Sequence, residues 1–325
     1  MASTPTAQPT EFARASEEVA AAFALGGVRR PLVLAATGEM GRIFRLETDR
    51  GIFAVKELVE RRTEEEVWQD VEFQERAGAV ATTYLVARNV RTVDGRVLAE
   101  ISGRQVRVQS WLDMAAPDPM LDPGLIGRML AELHAAGEPR TDPVHPWYTT
   151  AVGAVRWSEY ADRLTAARAP VASRVAAMVP RLVELEELLI APTDLRTCHR
   201  DLWADNVRAM PDGTVCVFDW DNCGPADPDQ ELAMLAFEFG MDSRDRIRTL
   251  HDAYVAAGGP GRVTQPGDLT MVIAQFGHFV ESAVQQFLDD EATPDDEEWA
   301  LARLDELEER PLTIEAVQQI VDACA

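Results

Sequence analysis

The spacing of apolar and polar positions changes part-way along this chain. Between residues 31 and 112 lie five short runs, PLVLAAT, RIFRLET, GIFAVKEL, RVLAEI and RQVRVQSWL, separated by turn signals such as Thr48-Asp49-Arg50-Gly51 and Asp94-Gly95. They predict short strands. One helix interrupts them from about Thr63 to Ala79, and Thr63 followed three residues later by Glu66 is the capping-box pattern that starts such a helix. Ahead of the strands, TEFARASEEVAAAFAL reads as a leading helix, and residues 1–10 as a disordered tail.

Past the proline-rich APDPMLDP, nearly every segment has helical spacing. Residues 123–137, 156–169 and 171–190 read as helices. From Asp229 on, Leu232, Leu235, Ala236 and Phe239 recur at i, i+3, i+4 and i+7, and Gly240 ends the run. The main break is RTCHRDLWADNVRAMPDGTVCVFDWDNCGPADP, a loop followed by a hairpin turned at Pro211-Asp212-Gly213. The expected architecture is α+β with two lobes. Residues 1–26 form the tail and leading helix, 27–112 a small antiparallel-sheet lobe with one helix, and 113–325 a larger, mainly helical lobe.

Composition adds exclusions. Hydrophobic residues are 46% and charged residues 26%, the balance of an ordinary globular protein. The opening MASTPTAQPT has no basic segment and VAAAFALGGV is too short to span a bilayer, so a cytoplasmic location is expected. Cys198, Cys216, Cys223 and Cys324 form no CxxC pair and read as small apolar side chains in a reducing compartment. A formal charge of -24 repels nucleic acid and anionic membranes, leaving no such partner expected. That acidity either draws a cationic substrate or merely keeps the chain in solution. The basic side chains number 31, and Lys56 is the only lysine among them.

The candidate chemistry starts there. CHRDLWADNV fits the pattern H-R-D-L-x-x-x-N, giving His199, Asp201 and Asn206, and the apolar run VCVFDWDNCG delivers Asp219 and Asp221 at its end. With Lys56 in an apolar strand upstream, this order points to phosphoryl transfer from ATP. Polyphosphate needs compensating cations, since two unit charges 4 Å apart interact by about 4 kcal/mol at an effective dielectric of about 20. A compact ammonium can reach the α- and β-phosphates from a packed strand while keeping one carboxylate partner; a planar guanidinium displaces both.

Asp201 is placed to align a substrate hydroxyl for attack, and Asn206 and Asp219 to hold Mg2+ through hard oxygen ligands. Asp221 reads as a solvent-facing turn residue or as a second ligand, and His199 as a support of the loop. Among the helix acids, Glu72 is the expected partner of Lys56, although Glu75 projects nearer the centre of the apolar face defined by Val67, Trp68 and Val71. In ATGEMGRIF, Gly38 and Gly41 let backbone N–H groups approach phosphate. No P-loop pattern occurs.

HRDLWADN followed by VFDWDNCGPADPDQELA, with IGRMLAELHAAG upstream, resembles the phosphotransferase family that includes aminoglycoside phosphotransferases, choline kinases and homoserine kinases. The resemblance implies a protein-kinase-like fold, with Asp201 the catalytic aspartate, Asn206 and Asp219 the Mg2+ ligands and Lys56 the ATP contact. It also implies that VQSWLD is a hinge whose backbone at Ser110 and Leu112 meets adenine. Asp219 runs almost directly into a helix, without D-F-G, A-P-E or an activation segment, so a small hydroxyl-bearing molecule is expected as substrate rather than a protein. Glu281, Asp289, Asp290 and Glu291 would suit a cation, or be solvated; Trp147, Tyr148 and Trp157 stack on substrate or pack in the core. A nucleotide-binding scaffold without turnover, or a protein kinase, are the alternatives.

Overall fold

The structure, a computed structural model, describes residues 12, 15–38 and 41–325. The expected tail lies outside the described residues, as do Glu39 and Met40 between the paired glycines. The described chain divides into two compact units. The first runs to Asp118 and takes in Asp205–Cys223; the second comprises Pro119–Ala204 and Gly224–Ala325. The expected division at 112 and 113 therefore changes, because the hairpin segment joins the first unit.

In the first unit, the leading helix is α1 (Ser16–Ala22). The sheet contains β1 (Val28–Gly38), β2 (Gly41–Thr48), β3 (Gly51–Leu58), β5 (Asn89–Val90), β6 (Ala99–Ile101) and β7 (Arg104–Ser110). They are ordered β1-β2-β3-β7-β5 with β6 on β7, and every pairing is antiparallel. Phe44, Leu46 and Val55 from the strands pack with Val19, Phe23 and Leu25 from α1 and its C-terminal turn. Burial of such side chains from water at about 1.5–3 kcal/mol each is what holds the sheet to the helix.

Helix α2 (Glu64–Val80) follows β3 and begins with the expected box: the Thr63 hydroxyl accepts from the Glu66 amide, and the Glu66 carboxylate accepts from the Thr63 amide. Its inward stripe is Val67, Asp70, Val71, Gln74 and Ala77. Trp68 is not part of it. The indole lies exposed beneath the Arg91 guanidinium, 4.3 Å from the ring centre, so a cation covers the ring in place of the core.

A strand missing from the sequence pattern joins the expected hairpin in this unit. The three-residue β4 (Tyr84–Val86) pairs in parallel with β10 (Val215–Val217), and β10 pairs antiparallel with β9 (Val207–Ala209). This small sheet ties Asp205–Cys223 to the first unit.

The second unit holds α3 (Pro123–Ala136), α4 (Ala154–Ala167), α5 (Ala172–Glu186), α6 (Pro228–Gly240), α7 (Arg244–Ala256), α8 (Thr270–Leu288), α9 (Pro294–Glu309) and α10 (Ile314–Cys324). A two-stranded antiparallel ribbon of β8 (Arg196–Cys198) and β11 (Gly224–Ala226) lies among them. Helix α6 opens one residue before the expected Asp229, with the Asp227 carboxylate accepting from the Asp229 amide and Pro228 in the first turn. Almost all of α6 is buried, which suits a central helix. Among the described residues no helix is long and apolar enough to cross a membrane.

Candidate functional site

Strand β3 delivers Lys56 into the interior of the first unit, where it is 7% exposed. Across the sheet its neighbours in register are Ile43 on β2 and Arg107 on β7. Two cations placed directly opposite on neighbouring strands repel. The segment after β10 supplies the compensation. Lys56 Nζ lies 2.6 Å from Asp219 Oδ1 and 2.6 Å from Asp221 Oδ2, and Arg107 Nη2 lies 2.7 Å from Asp221 Oδ1. Arg62, just before α2, is 2.6 Å from Asp70 and 3.9 Å from Asp221.

The two aspartates differ in setting. Asp219 sits in the left-handed region at φ 56°, an uncommon conformation for a residue with a Cβ, and its side chain is 32% exposed. Asp221 follows in the short 3-10 turn Trp220–Asn222, and its side chain is 1% exposed. Burial pushes the Asp221 carboxyl up, but Arg107 and Lys56, with a smaller contribution from Arg62, outweigh it and hold the group down at about 2. A solvent-facing Asp221 is thus corrected: the residue is an internal anion. Trp220 between them is fully buried, edge-on to Phe73 of α2 at 5.5 Å, which fixes the turn against that helix.

Neither expected helix carboxylate reaches Lys56. Glu72 is exposed and lies 3.9 Å from Arg76, one turn on; Glu75 pairs with Arg91 at 2.6 Å. The inward acid of α2 is Asp70, one position before Val71, and the helical face carries it toward Arg62. Burial raises Asp70 to about 7 against the opposing pull of Arg62. The folded chain therefore holds a proton that the unfolded chain, at 3.8, releases. Stability from this group is full below pH 3.8 and is lost as pH rises to about 7. Relative to Asp70→Asn, the wild-type chain is expected to lose up to about 4 kcal/mol across that window. Urea unfolding of both proteins at pH 4, 5.5 and 7.5 measures it; a constant difference would disprove the assignment.

Asn206 immediately precedes β9, and its carbonyl accepts from the Phe218 amide at 3.1 Å. The register thus brings Asn206 and Asp219 to the same end of the hairpin. An amide oxygen and a partly exposed carboxylate are hard donors of the kind that suit Mg2+.

Of the two glycines, Gly38 faces Gly41 at the tip of the β1–β2 hairpin. A Cβ on Gly41 would lie 2.3 Å from the Glu57 carbonyl oxygen and 3.3 Å from Lys56 Cε, so only glycine lets β2 pass over the lysine stem. On Gly38 the nearest atom would be 3.9 Å away. Gly41→Ala is expected to cost about 1–3 kcal/mol, because the obstructing atom is backbone, and Gly38→Ala less than about 0.5 kcal/mol. Paired denaturation curves test this contrast. Ser110 ends β7, with its amide donating to the Arg88 carbonyl and its hydroxyl accepting from the Arg88 amide; Leu112 follows, half-buried, outside the strands.

In the second unit, Asp201 lies on the loop after β8 and is half-buried. Both sides of it are fastened. The Arg200 amide donates to Glu231 Oε1 of α6, the Arg200 carbonyl accepts from Gln275 Nε2 of α8 at 3.1 Å, and the Ala204 amide donates to Glu238 Oε1 at 3.0 Å. Arg200 itself is left-handed at φ 67°. Its guanidinium occupies the space that a side chain at Gly224 would fill, 2.6 Å from an ideal Cβ, and lies 4.4 Å over the Tyr148 ring. Glu231 is fully buried; burial alone would raise its carboxyl, but His134 and the Arg200 amide lower it. His199 is fully buried in the same loop.

Among the described residues, His134, Cys198 and Glu231 are the group spaced to hold a metal. Both ring nitrogens of His134 are already engaged, at 2.7 Å to the Tyr254 hydroxyl and 2.7 Å to Glu231, and burial drives the Cys198 thiol far up, so the cluster works as a core clasp.

The expected acidic wall separates into two kinds of residue. Glu281 is buried and engaged by Arg156, Tyr160 and His278 at 2.8, 2.8 and 3.0 Å, while Asp289, Asp290 and Glu291 are exposed. Trp157 and Tyr148 are buried; Trp157 donates to Glu186 at 2.9 Å. Trp147 alone of the three is half-buried, stacked on His278 at 5.0 Å, and Phe279 beside it meets Trp203 at 6.1 Å.

The sequence profile described as the phosphotransferase enzyme family matches residues 34–265. Among solved structures, a spectinomycin phosphotransferase in complex with ADP and spectinomycin is 11% identical, with a TM-score of 0.70 over 98% of this chain and 99% of its own. An aminoglycoside phosphotransferase from Alicyclobacillus acidocaldarius is 15% identical, with a TM-score of 0.61 over 99% and 96%. A choline kinase from Streptococcus pneumoniae is 15% identical, with a TM-score of 0.55 over 96% and 99%. At these identities the likeness is one of fold, and that fold is the protein-kinase-like one that the sequence predicts. No curated protein matches the chain.

Proposed function

Because the chain belongs to the phosphotransferase enzyme family, we propose that it transfers the terminal phosphoryl group of ATP, with Mg2+, to a hydroxyl of a small and cationic molecule. The observation that carries this reading is the buried Lys56 ammonium 2.6 Å from the partly exposed Asp219 carboxylate. Lys56 binds and orients the α- and β-phosphates, and Asp219 with Asn206 would hold the metal. Bound there, Mg2+ supplies charge neutralisation on the phosphate oxygens. Asp201 accepts or orients the proton of the acceptor hydroxyl, which is a poor nucleophile until a carboxylate aligns it. Gly38 and Gly41 let backbone amides approach phosphate, and the backbone at Ser110 and Leu112 meets adenine. A cytoplasmic location, where ATP and Mg2+ are abundant, goes with this reading.

A net charge of -24 supports a cationic acceptor through long-range attraction. The half-buried aromatic rings of Trp147, Trp203 and Phe279 suit an amino-sugar or an ammonium group better than a carboxylate. The deciding experiment is ADP release across aminoglycosides, other cationic antibiotics, amino-alcohols and neutral sugars, with Asp201→Asn as the blank. Cationic hits support the proposal. Neutral sugars alone overturn its charge element, and nucleotide binding without any turnover would favour the scaffold reading.

A further inference from the structure

We propose that Asp221, clamped by Arg107 and Arg62, is the standing counterion that positions Lys56. This takes over the task expected of a carboxylate on α2, and it rests on the nucleotide-binding role assigned to Lys56 above. Three observations converge. Lys56 and Arg107 face each other in register on β3 and β7, and the Asp221 carboxylate joins them, one oxygen to each, at 2.6 and 2.7 Å. Arg107 is 3% exposed, and the carboxylate paired with its guanidinium is that of Asp221, 2.7 Å from Nη2. The acids of α2 point elsewhere: Glu72 toward Arg76, Glu75 toward Arg91, and Asp70 toward Arg62, which is itself 3.9 Å from Asp221.

The division of labour follows from exposure. Asp219, a third exposed, is free to exchange its contact with Lys56 for another cation; Asp221, 1% exposed, is not. When Asp219 turns to a metal, Lys56 keeps one carboxylate, and the ammonium stays aimed. Helix α2 still influences the lysine, but through Asp70, Arg62 and Asp221 in sequence rather than by a direct pair. Without Asp221, Lys56 and Arg107 repel across the strands and the ammonium is no longer held in its aim.

The test is a double-mutant cycle on nucleotide affinity, measured by calorimetry with ADP in EDTA and again across a magnesium titration. Asp221→Asn is expected to weaken metal-free ADP binding about tenfold in the Lys56 protein and less than about twofold in Lys56→Met, because its effect passes through the lysine. The magnesium concentration for half-saturation is expected to stay unchanged. Equal losses in both backgrounds would overturn the proposal, and a raised magnesium requirement at unchanged metal-free affinity would make Asp221 a metal ligand instead. Wild-type protein that binds no ADP would refute the phosphotransferase site, a separate failure. Should Asp221→Asn not fold, Asp221→Glu and Arg107→Met replace it. The sole lysine then gives one Nζ resonance in lysine-labelled protein, and both changes are expected to shift it; an unmoved signal would also overturn the proposal.

Discussion

Asp201→Asn is expected to lower kcat by about 10²- to 10⁴-fold while leaving ADP affinity within about twofold. That corresponds to about 3–5 kcal/mol in the barrier, the range open to a single positioned proton acceptor. The asparagine keeps the size and one acceptor oxygen of the carboxylate, so it can still receive a hydrogen bond from a hydroxyl; it cannot take the proton. The loop keeps backbone fastenings that the change leaves in place. Its position depends on backbone groups of Arg200 and Ala204 bound by Glu231, Gln275 and Glu238, none of which involves the Asp201 side chain. Leu202, fully buried next door, adds a further anchor. Turnover at saturating substrates, with ADP calorimetry alongside, separates the outcomes. A kcat within threefold of wild type would remove Asp201 from the chemistry, and a collapse of ADP affinity would show that the loop had been disturbed.

The features legible in the sequence are those whose causes are local. A capping box is made by residues three apart, and Thr63 with Glu66 forms it as read. The five strand runs each become a strand, and the stripe ending at Gly240 becomes α6. The pieces that were not legible depend on partners remote in the chain. Strand β4 gains its pairing only from β10, so three residues with no distinctive pattern become a strand.

The electrostatic centre was misread for the same reason. A reading by period puts aspartates outside; Asp221 is inside because Arg107 and Lys56 neutralise it, and Asp70 because Arg62 binds it while burial favours its protonated form. Trp68 shows the converse, an indole left outside because Arg91, beyond the end of the helix, covers it. One clue was available: Asp70 falls at i+3 from Val67 and directly before Val71, inside the apolar stripe, so the wheel itself placed a carboxyl on the buried face.

Lys56→Arg is expected to weaken nucleotide binding by about 10- to 100-fold, about 1.4–2.7 kcal/mol, while the thermal midpoint of the ligand-free protein moves by no more than about 3 °C. The two effects part because arginine is a good partner for the carboxylates and a poor one for the task. A guanidinium meets a carboxylate in a forked pair, so Asp219 and Asp221 would hold it at least as firmly as they hold the ammonium. Charge balance within the unit then survives. The stem, however, has no slack: Gly41 passes so close that even a Cβ there would come within 3.3 Å of Lys56 Cε, and Arg107 occupies the facing position on β7. A wider head at the end of that stem is locked onto Asp219, where it competes with the metal, and presents its plane rather than a point charge to the phosphates. A chain that uses arginine at thirty of its 31 basic positions has ready access to arginine here as well, so chance retention of one lysine predicts the opposite result. Near-normal ADP affinity and turnover in Lys56→Arg would favour chance; a selective loss of affinity, with stability retained, identifies the compact ammonium as the reason that this lysine persists.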